Sequence, residues 1–193
     1  ASHLAADAVV TDAGSSKRSV IESAREAFGE LPDFLVPGHP IAGTENSGVE
    51  ASFATLYRGR KVILTPTSVS REDAADKVRR MWELTGAEVL DMEPEHHDEV
   101  LAATSHLPHV LAYTLVDTLA ALSERQEIFA FAAGGFADFT RIASSDARLW
   151  RDIVVANRGP VLDVLDTYIE RLARIRSAIA DDDHDTIDGV FGR

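Results

Sequence analysis

Strand signals in this chain stop near residue 92, and that change of pattern constrains its fold more than any other feature. Residues 8–11 form a short β-rich run that ends in the turn formers Asp12-Ala13-Gly14-Ser15-Ser16. Val20, Ile21, Ala24 and Ala27 then fall on one stripe, which predicts a helix over 17–28. Residues 34–36 read as a second strand, and 61–64 as a third that stops at Thr65-Pro66-Thr67. Ser70, with Asp73 three residues on, is expected to cap a helix over 70–85, and 87–90 reads as a fourth strand. Strands and helices alternating over short connections argue for a parallel α/β sheet. Beyond Met92 the chain is built from helix formers. Residues 95–123 are interrupted by Pro108, 129–139 are broken at Gly134-Gly135, and 149–156 and 161–179 read as two more helices. The last carries Val161, Leu165, Ile169, Leu172, Ile175 and Ile179 at spacings of three and four. An α/β unit over 1–92 followed by an all-helical unit over 93–193 is expected.

The α/β unit reads as half of something. A dinucleotide fold is normally two βαβαβ halves with a G-x-G-x-x-G turn after the first strand. No strand-to-helix turn here holds that pattern. The unit is either the second half of a nucleotide-binding domain or a small α/β fold without that function. On the first reading, the chain alone is expected to bind NAD weakly or not at all, because the pyrophosphate normally rests on the glycine turn.

The net charge of −13 makes nucleic acid and anionic membranes poor partners. Small acidic clusters such as Asp181-Asp182-Asp183 read as solvated surface. The absence of cysteine fits a reducing, cytoplasmic setting, and no apolar run reaches the roughly 18 residues of a membrane span.

Four stretches hold residues suited to chemistry. In Gly38-His39-Pro40-Ile41-Ala42-Gly43-Thr44-Glu45, His39 follows a strand, and ligands of open α/β sheets sit beyond strand ends. It reads either as a general base or as a loop histidine satisfied by backbone. In the helical unit, His96-His97-Asp98 and Ser105-His106-Leu107-Pro108-His109 invite a metal reading, with His106 and His109 three apart and His97 twelve before His109. Zinc would want four ligands, or three and a water, and no further Cys or His ligand is evident, so no metal is expected. Arg141 lies among Phe139, Ile142 and Ala143, where burial needs an anion: a ligand carboxylate, or an internal partner in Asp138, Asp146 or Asp152.

These same stretches resemble one family. HPIAGTENSG (39–48), SHLPH (105–109), GGFADFTRIASSDARLWRDI (134–153) and Val10-Thr11-Asp12-Ala13-Gly14-Ser15-Ser16-Lys17 are similar to the signatures of prephenate dehydrogenases. The motifs span most of residues 9–160. One departure is Ala137, where the family usually carries Arg or Lys. The HPIAGTE and TRIA motifs argue against another helical-domain dehydrogenase of the 6-phosphogluconate or hydroxyacid type.

The resemblance implies the rear half of a Rossmann-type nucleotide-binding domain followed by a helical dimerisation domain. It implies NAD-dependent oxidative decarboxylation of prephenate to 4-hydroxyphenylpyruvate in tyrosine biosynthesis. Action on arogenate, or on both substrates, is the alternative within the class. A non-catalytic dimerisation and substrate-binding module is the alternative outside it. His39 matches the family's base for the ring hydroxyl. Ser15 matches the serine between nicotinamide, substrate and histidine; Ser15 or Ser16 could also cap a helix, which does not exclude that role. Asp12 is assigned to the cofactor side with Ser15. Arg141 matches the substrate-binding arginine, and His109 and His97 match histidines of the substrate cleft. Glu45 matches an acid at the pocket entrance, or is a helix-start acid favoured by the dipole. His106 is expected to be structural. A homodimer through the helical unit is expected, because the apolar stripe of 161–179 and the segment 129–139 exceed what one small helical unit covers.

Overall fold

The computed structural model describes residues 4–5, 7–43 and 48–193. Glu45 lies outside the described residues. An α/β unit comes first: α1 (Arg18–Phe28), β1 (Gly38–Pro40), β2 (Lys61–Leu64), α2 (Glu72–Glu83) and β3 (Glu88–Asp91). Helices follow: α3 (Pro94–Leu101), a π-turn (Ala102–His106), α4 (Leu107–Ala120), α5 (Arg125–Ala130), α6 (Gly134–Thr140), a 3-10 turn (Arg141–Ser144), α7 (Ala147–Ala156), α8 (Arg158–Ala180) and α9 (His184–Phe191). The change from mixed to all-helical structure falls between Asp91 and Pro94, beside the expected boundary.

The sheet differs from the expected parallel one. Its order is β1-β2-β3, with β2 parallel to β3 but β1 antiparallel to β2, pairing His39 with Ile63. The expected strands at 8–11 and 34–36 shrink to a single parallel bridge between Val10 and Leu35. The ladder stops after residue 36 because the next donor in register, Gly38 N, bonds the Asp12 side chain instead of a backbone carbonyl. The pairing that survives uses Val10 N to Phe34 O and Val36 N to Val10 O, both 2.9 Å. The core of this unit is Val36, Val62, Leu64, Ala74, Val78 and Trp82, the buried faces of β2 and α2.

Neither expected serine cap forms. Ser70 accepts from Thr67 N and donates to Leu35 O, so it pins the loop to the sheet, and α2 begins after Arg71 without a side-chain cap. Ser16 bonds Ser19 through its hydroxyl. The first N–H groups near the start of α1 instead meet the carboxylate of Asp98, some eighty residues later: Lys17 N to Oδ1 at 2.8 Å and Arg18 N to Oδ2 at 3.0 Å. This interaction locks α1 to α3.

Pro108 accounts for the π-turn. A proline inside a helix cannot donate, and its ring crowds the carbonyl four residues back. The chain widens ahead of it, and Leu107 N donates to Ala102 O, five residues away. The Ser105 carbonyl takes its bond from the His109 side chain, through Nδ1 at 2.8 Å.

Candidate active site

β1 carries His39 to the junction of the two units, and two opposite charges hold its backbone there. Asp12 Oδ1 accepts from Gly38 N at 3.0 Å, while Lys17 Nζ donates to Gly38 O and, at 2.6 Å, to Asp12 Oδ2. Both polar groups of Gly38 are thereby clamped. A Cβ at Gly38 would lie 3.2 Å from Asp12 O and from Leu64 Cδ2, so only glycine fits without a shift. Lys17 is fully buried; burial pulls its ammonium below the usual range, and the neighbouring carboxylate of Asp12 resists.

Behind His39 lies a buried chain of bonds. His39 Nδ1 meets His97 Nε2 at 2.9 Å, and His97 Nδ1 meets Asp98 Oδ1 at 2.8 Å. His97 and Asp98 are 0% and 1% exposed, so water does not compete for these contacts. Burial alone would raise the Asp98 carboxyl. The bonds from His97 and from the Lys17 and Arg18 N–H groups outweigh it and hold the carboxyl below its usual range. Burial is the main cause that pushes His39 down to about 3. His106 is pushed down to about 4, again mainly by burial. Asn157 Nδ2 donates to Asp98 O at 2.7 Å and to His106 Nδ1 at 3.1 Å, which finishes the packing behind the chain.

In front of His39 is a cavity of about 690 Å³. Ser15, His39 to Gly43 and Arg60 line it from the α/β unit; Leu101, Thr104, Ser105, His109, Arg141 and Trp150 are among its helical walls. His109 stacks on Trp150 with ring centroids 3.3 Å apart. Since Ser105 O can only accept, His109 Nδ1 carries the proton and Nε2 is an acceptor. Burial lowers the His109 value, and the bond to Ser105 opposes that shift. Asp146 caps α7, accepting from Arg148 N and Leu149 N, and so orients the helix that bears Trp150. Tyr113 donates to Ser145 O at 2.7 Å and ties the turn bearing Arg141 to α4. The result is a cavity with one buried imidazole at its base and guanidinium groups on its walls.

A family model described as the prephenate dehydrogenase nucleotide-binding domain matches residues 1–91, and one described as its dimerization domain matches residues 93–192. The chain belongs to the prephenate dehydrogenase family. A cyclohexadienyl dehydrogenase of Zymomonas mobilis is 43% identical over 185 residues, which cover 94% of this chain and 62% of that protein. A prephenate dehydrogenase of Bacillus subtilis is 36% identical over 189 residues, 95% of this chain and 49% of that protein. The chain thus spans between about half and three-fifths of these curated relatives. Among solved structures, the Aquifex aeolicus prephenate dehydrogenase in complex with hydroxyphenyl propionate and NAD+ superimposes with a TM-score of 0.87 at 41% identity, covering 98% of this chain and 66% of that one. A Synechocystis arogenate dehydrogenase superimposes with a TM-score of 0.83 at 25% identity, covering 99% of this chain and 68% of that one.

Of the residues matched to prephenate dehydrogenase motifs, Ser15, His39, His109 and Arg141 share the one cavity. Ser15 makes no side-chain hydrogen bond to His39. Two residues sit elsewhere than expected. His97 is not on the cavity wall: it is fully buried with both ring nitrogens bonded, one step behind His39. Asp12 does not line this cavity either: its carboxylate is engaged by Lys17, Gly14 and Gly38. Arg141 lines the cavity as an exposed residue at its rim rather than a buried one, since α6 ends at Thr140 and a short 3-10 turn follows. His106 is buried and bonds Asn157. Among the described residues no group of three or more His, Asp or Glu side chains is arranged to hold a metal ion. Lys17, Asp98 and Asn157 escaped the sequence reading. Lys17 and Asp98 had a signal there, one closing the stretch 10–17 and the other beside His97; Asn157 had none.

Proposed function

We propose that this chain carries the catalytic centre of an NAD-linked prephenate dehydrogenase, which converts prephenate to 4-hydroxyphenylpyruvate and carbon dioxide. The observation that carries this reading is His39, an imidazole whose Nδ1 is tied back into the protein and whose Nε2 is left for the cavity it lines. Its lowered value keeps it unprotonated near neutral pH. His39 Nε2 takes the ring hydroxyl proton as hydride leaves the same carbon. Loss of the ring carboxylate as carbon dioxide then makes the ring aromatic. His39 returns the proton to the phenolate oxygen formed, so the reaction needs no net base. NAD, when bound, supplies the hydride acceptor. The nicotinamide end suits this cavity, since the Ser15 hydroxyl lines it and can both donate and accept.

The substrate is a dianion. Arg141 and Arg60 both line the cavity, which supplies two guanidinium groups for two carboxylates. Arogenate shares the ring and differs by an amine on the side chain. Arogenate keeps both carboxylates, so this guanidinium pair suits either substrate.

We also propose that the chain acts as a homodimer through its helices, in the cytoplasm. Ile169, Leu172 and Ile179 on α8 are 53%, 53% and 59% exposed, and Phe191 on α9 is 74% exposed. Apolar surface of that extent at helical spacing suits burial against a second copy, and the dimerization-domain model covers this region.

The deciding experiment compares two variants of the full-length gene product. His39→Asn is expected to lower turnover by about 10²–10⁴, the usual worth of a general base, with KM little changed. Arg141→Ala is expected to raise KM by about ten- to a hundredfold, the loss of one charge-assisted bond. Full turnover in the first, or an unchanged KM in the second, would overturn the assignments.

A further inference from the structure

We propose that Asp98 and His97 are positioning residues that set the tautomer of His39 and draw the charge of its accepted proton inward. The inference rests on the reading of His39 as the base.

The order of donors follows from one end of the chain of bonds. An ionised carboxylate only accepts, so Asp98 Oδ1 must receive its proton from His97 Nδ1. A neutral His97 is then bare at Nε2. That nitrogen can only accept, so His39 must donate from Nδ1. His39 is therefore bare at Nε2, the atom needed for catalysis. Asp98 thus decides, through two rings, whether the cavity meets a base or a donor. Asp98 stays ionised because Lys17 N and Arg18 N also bond it. These N–H groups belong to the other structural unit, so the carboxylate that joins the units also sets the base.

The same order solves a difficulty. A buried imidazole held down to about 3 takes a proton reluctantly. When His39 Nε2 accepts the hydroxyl proton, its Nδ1 proton can pass to His97 Nε2. His39 is then neutral, protonated on Nε2, and the positive charge rests on His97 beside the Asp98 carboxylate. Return of the proton to the product oxygen reverses both transfers, and no proton is gained or lost.

The first test reads tautomers directly, by long-range ¹H–¹⁵N spectra of the ¹⁵N-histidine-labelled chain near pH 7.5. His39 and His97 are both expected to carry the proton on Nδ1. A His39 protonated on Nε2 would overturn the proposal, whatever its turnover. In Asp98→Ala, His39 is expected to shift toward the Nε2-protonated form. Turnover in the full-length product should fall by about 10² or more with KM little changed, because Asp98 does not line the cavity. An unchanged His39 tautomer in a variant with a native amide spectrum would also overturn it.

Asp98→Ala also removes the cap of α1 and can fail to fold. A second pair of variants covers that case. His97→Gln can place its amide oxygen where Nε2 stands and keep accepting from His39, so turnover should stay within about tenfold, whereas His97→Leu should lose about 10² or more. Equal losses in these two variants would reject the proposal. These results separate from the parent reading: a His39→Asn variant with full turnover removes the base, while an Asp98→Ala variant that keeps the Nδ1-protonated His39 removes only the relay.

Discussion

The imidazole of His109 lies flat on the indole of Trp150, with centroids 3.3 Å apart and planes 14° from parallel. The contact exists because two backbone devices aim the rings at each other. The π-turn ahead of Pro108 presents the Ser105 carbonyl to His109 Nδ1, and the Asp146 cap starts the helix that carries Trp150. One wall of the cavity is therefore a rigid aromatic pair with an acceptor nitrogen.

Trp150→Leu is expected to raise the His109 value toward its ordinary 6.5, because burial is the main cause of its lowering. The attraction of an indole face for a cation, about 0.5–1 kcal/mol at such sites, acts the other way and is outweighed in the observed direction. KM should rise as the wall loosens. An NMR titration showing His109 unchanged or lower would contradict this account.

Acid should weaken the fold well before the carboxylates titrate. In the unfolded chain His39 and His106 bind protons near 6.5; in the folded chain they do so at about 3 and about 4. Between those limits the unfolded state holds more protons, so stability is greatest above pH 6.5 and falls as pH drops. Each histidine costs up to about 1.4 kcal/mol per pH unit in that window. Asp98, held below 3.8, adds loss in the same direction at lower pH. Urea midpoints at pH 7.5 and 5.0 measure the effect, and equal midpoints would refute it.

Asn157→Ala is expected to destabilise by about 1–3 kcal/mol, since it strips a donor from the buried Asp98 carbonyl and His106 Nδ1. Asn157→Asp should cost more at pH 7.5, because a carboxylate would then face two acceptors. Denaturant curves of both variants give the order, and a milder Asp variant would contradict it.

The apolar residues exposed on α8 and α9 predict self-association. Light scattering at low micromolar concentration should report a dimer, and Leu172→Glu should shift it toward monomer by placing a charge in that face. A stable monomer of the unaltered chain would rule the dimer out.

Contiguous motifs were readable because their chemistry is local. HPIAGTENSG and SHLPH name His39 and His109 within a few residues of the turns that aim them. The shift from strand grammar to helix grammar at residue 92 is likewise a property of short windows, set by apolar spacing of two against three and four. The sheet was legible only in part. The β-rich runs at 8–11 and 34–36 predicted full strands, but Gly38 N turns to the Asp12 side chain and leaves one bridge, and β1 runs antiparallel.

By itself, then, the sequence determined the two structural classes, their meeting near residue 92, and which residue types stand ready for chemistry. The tertiary structure alone decided which of them act together. Lys17 N to Asp98 spans 81 residues, His39 to His97 spans 58, and Asn157 to His106 spans 51. No periodicity encodes such pairs. They form because a buried donor or acceptor must be satisfied where packing brings it, and only the packed chain places an acceptor-only carboxylate two rings behind the imidazole it governs.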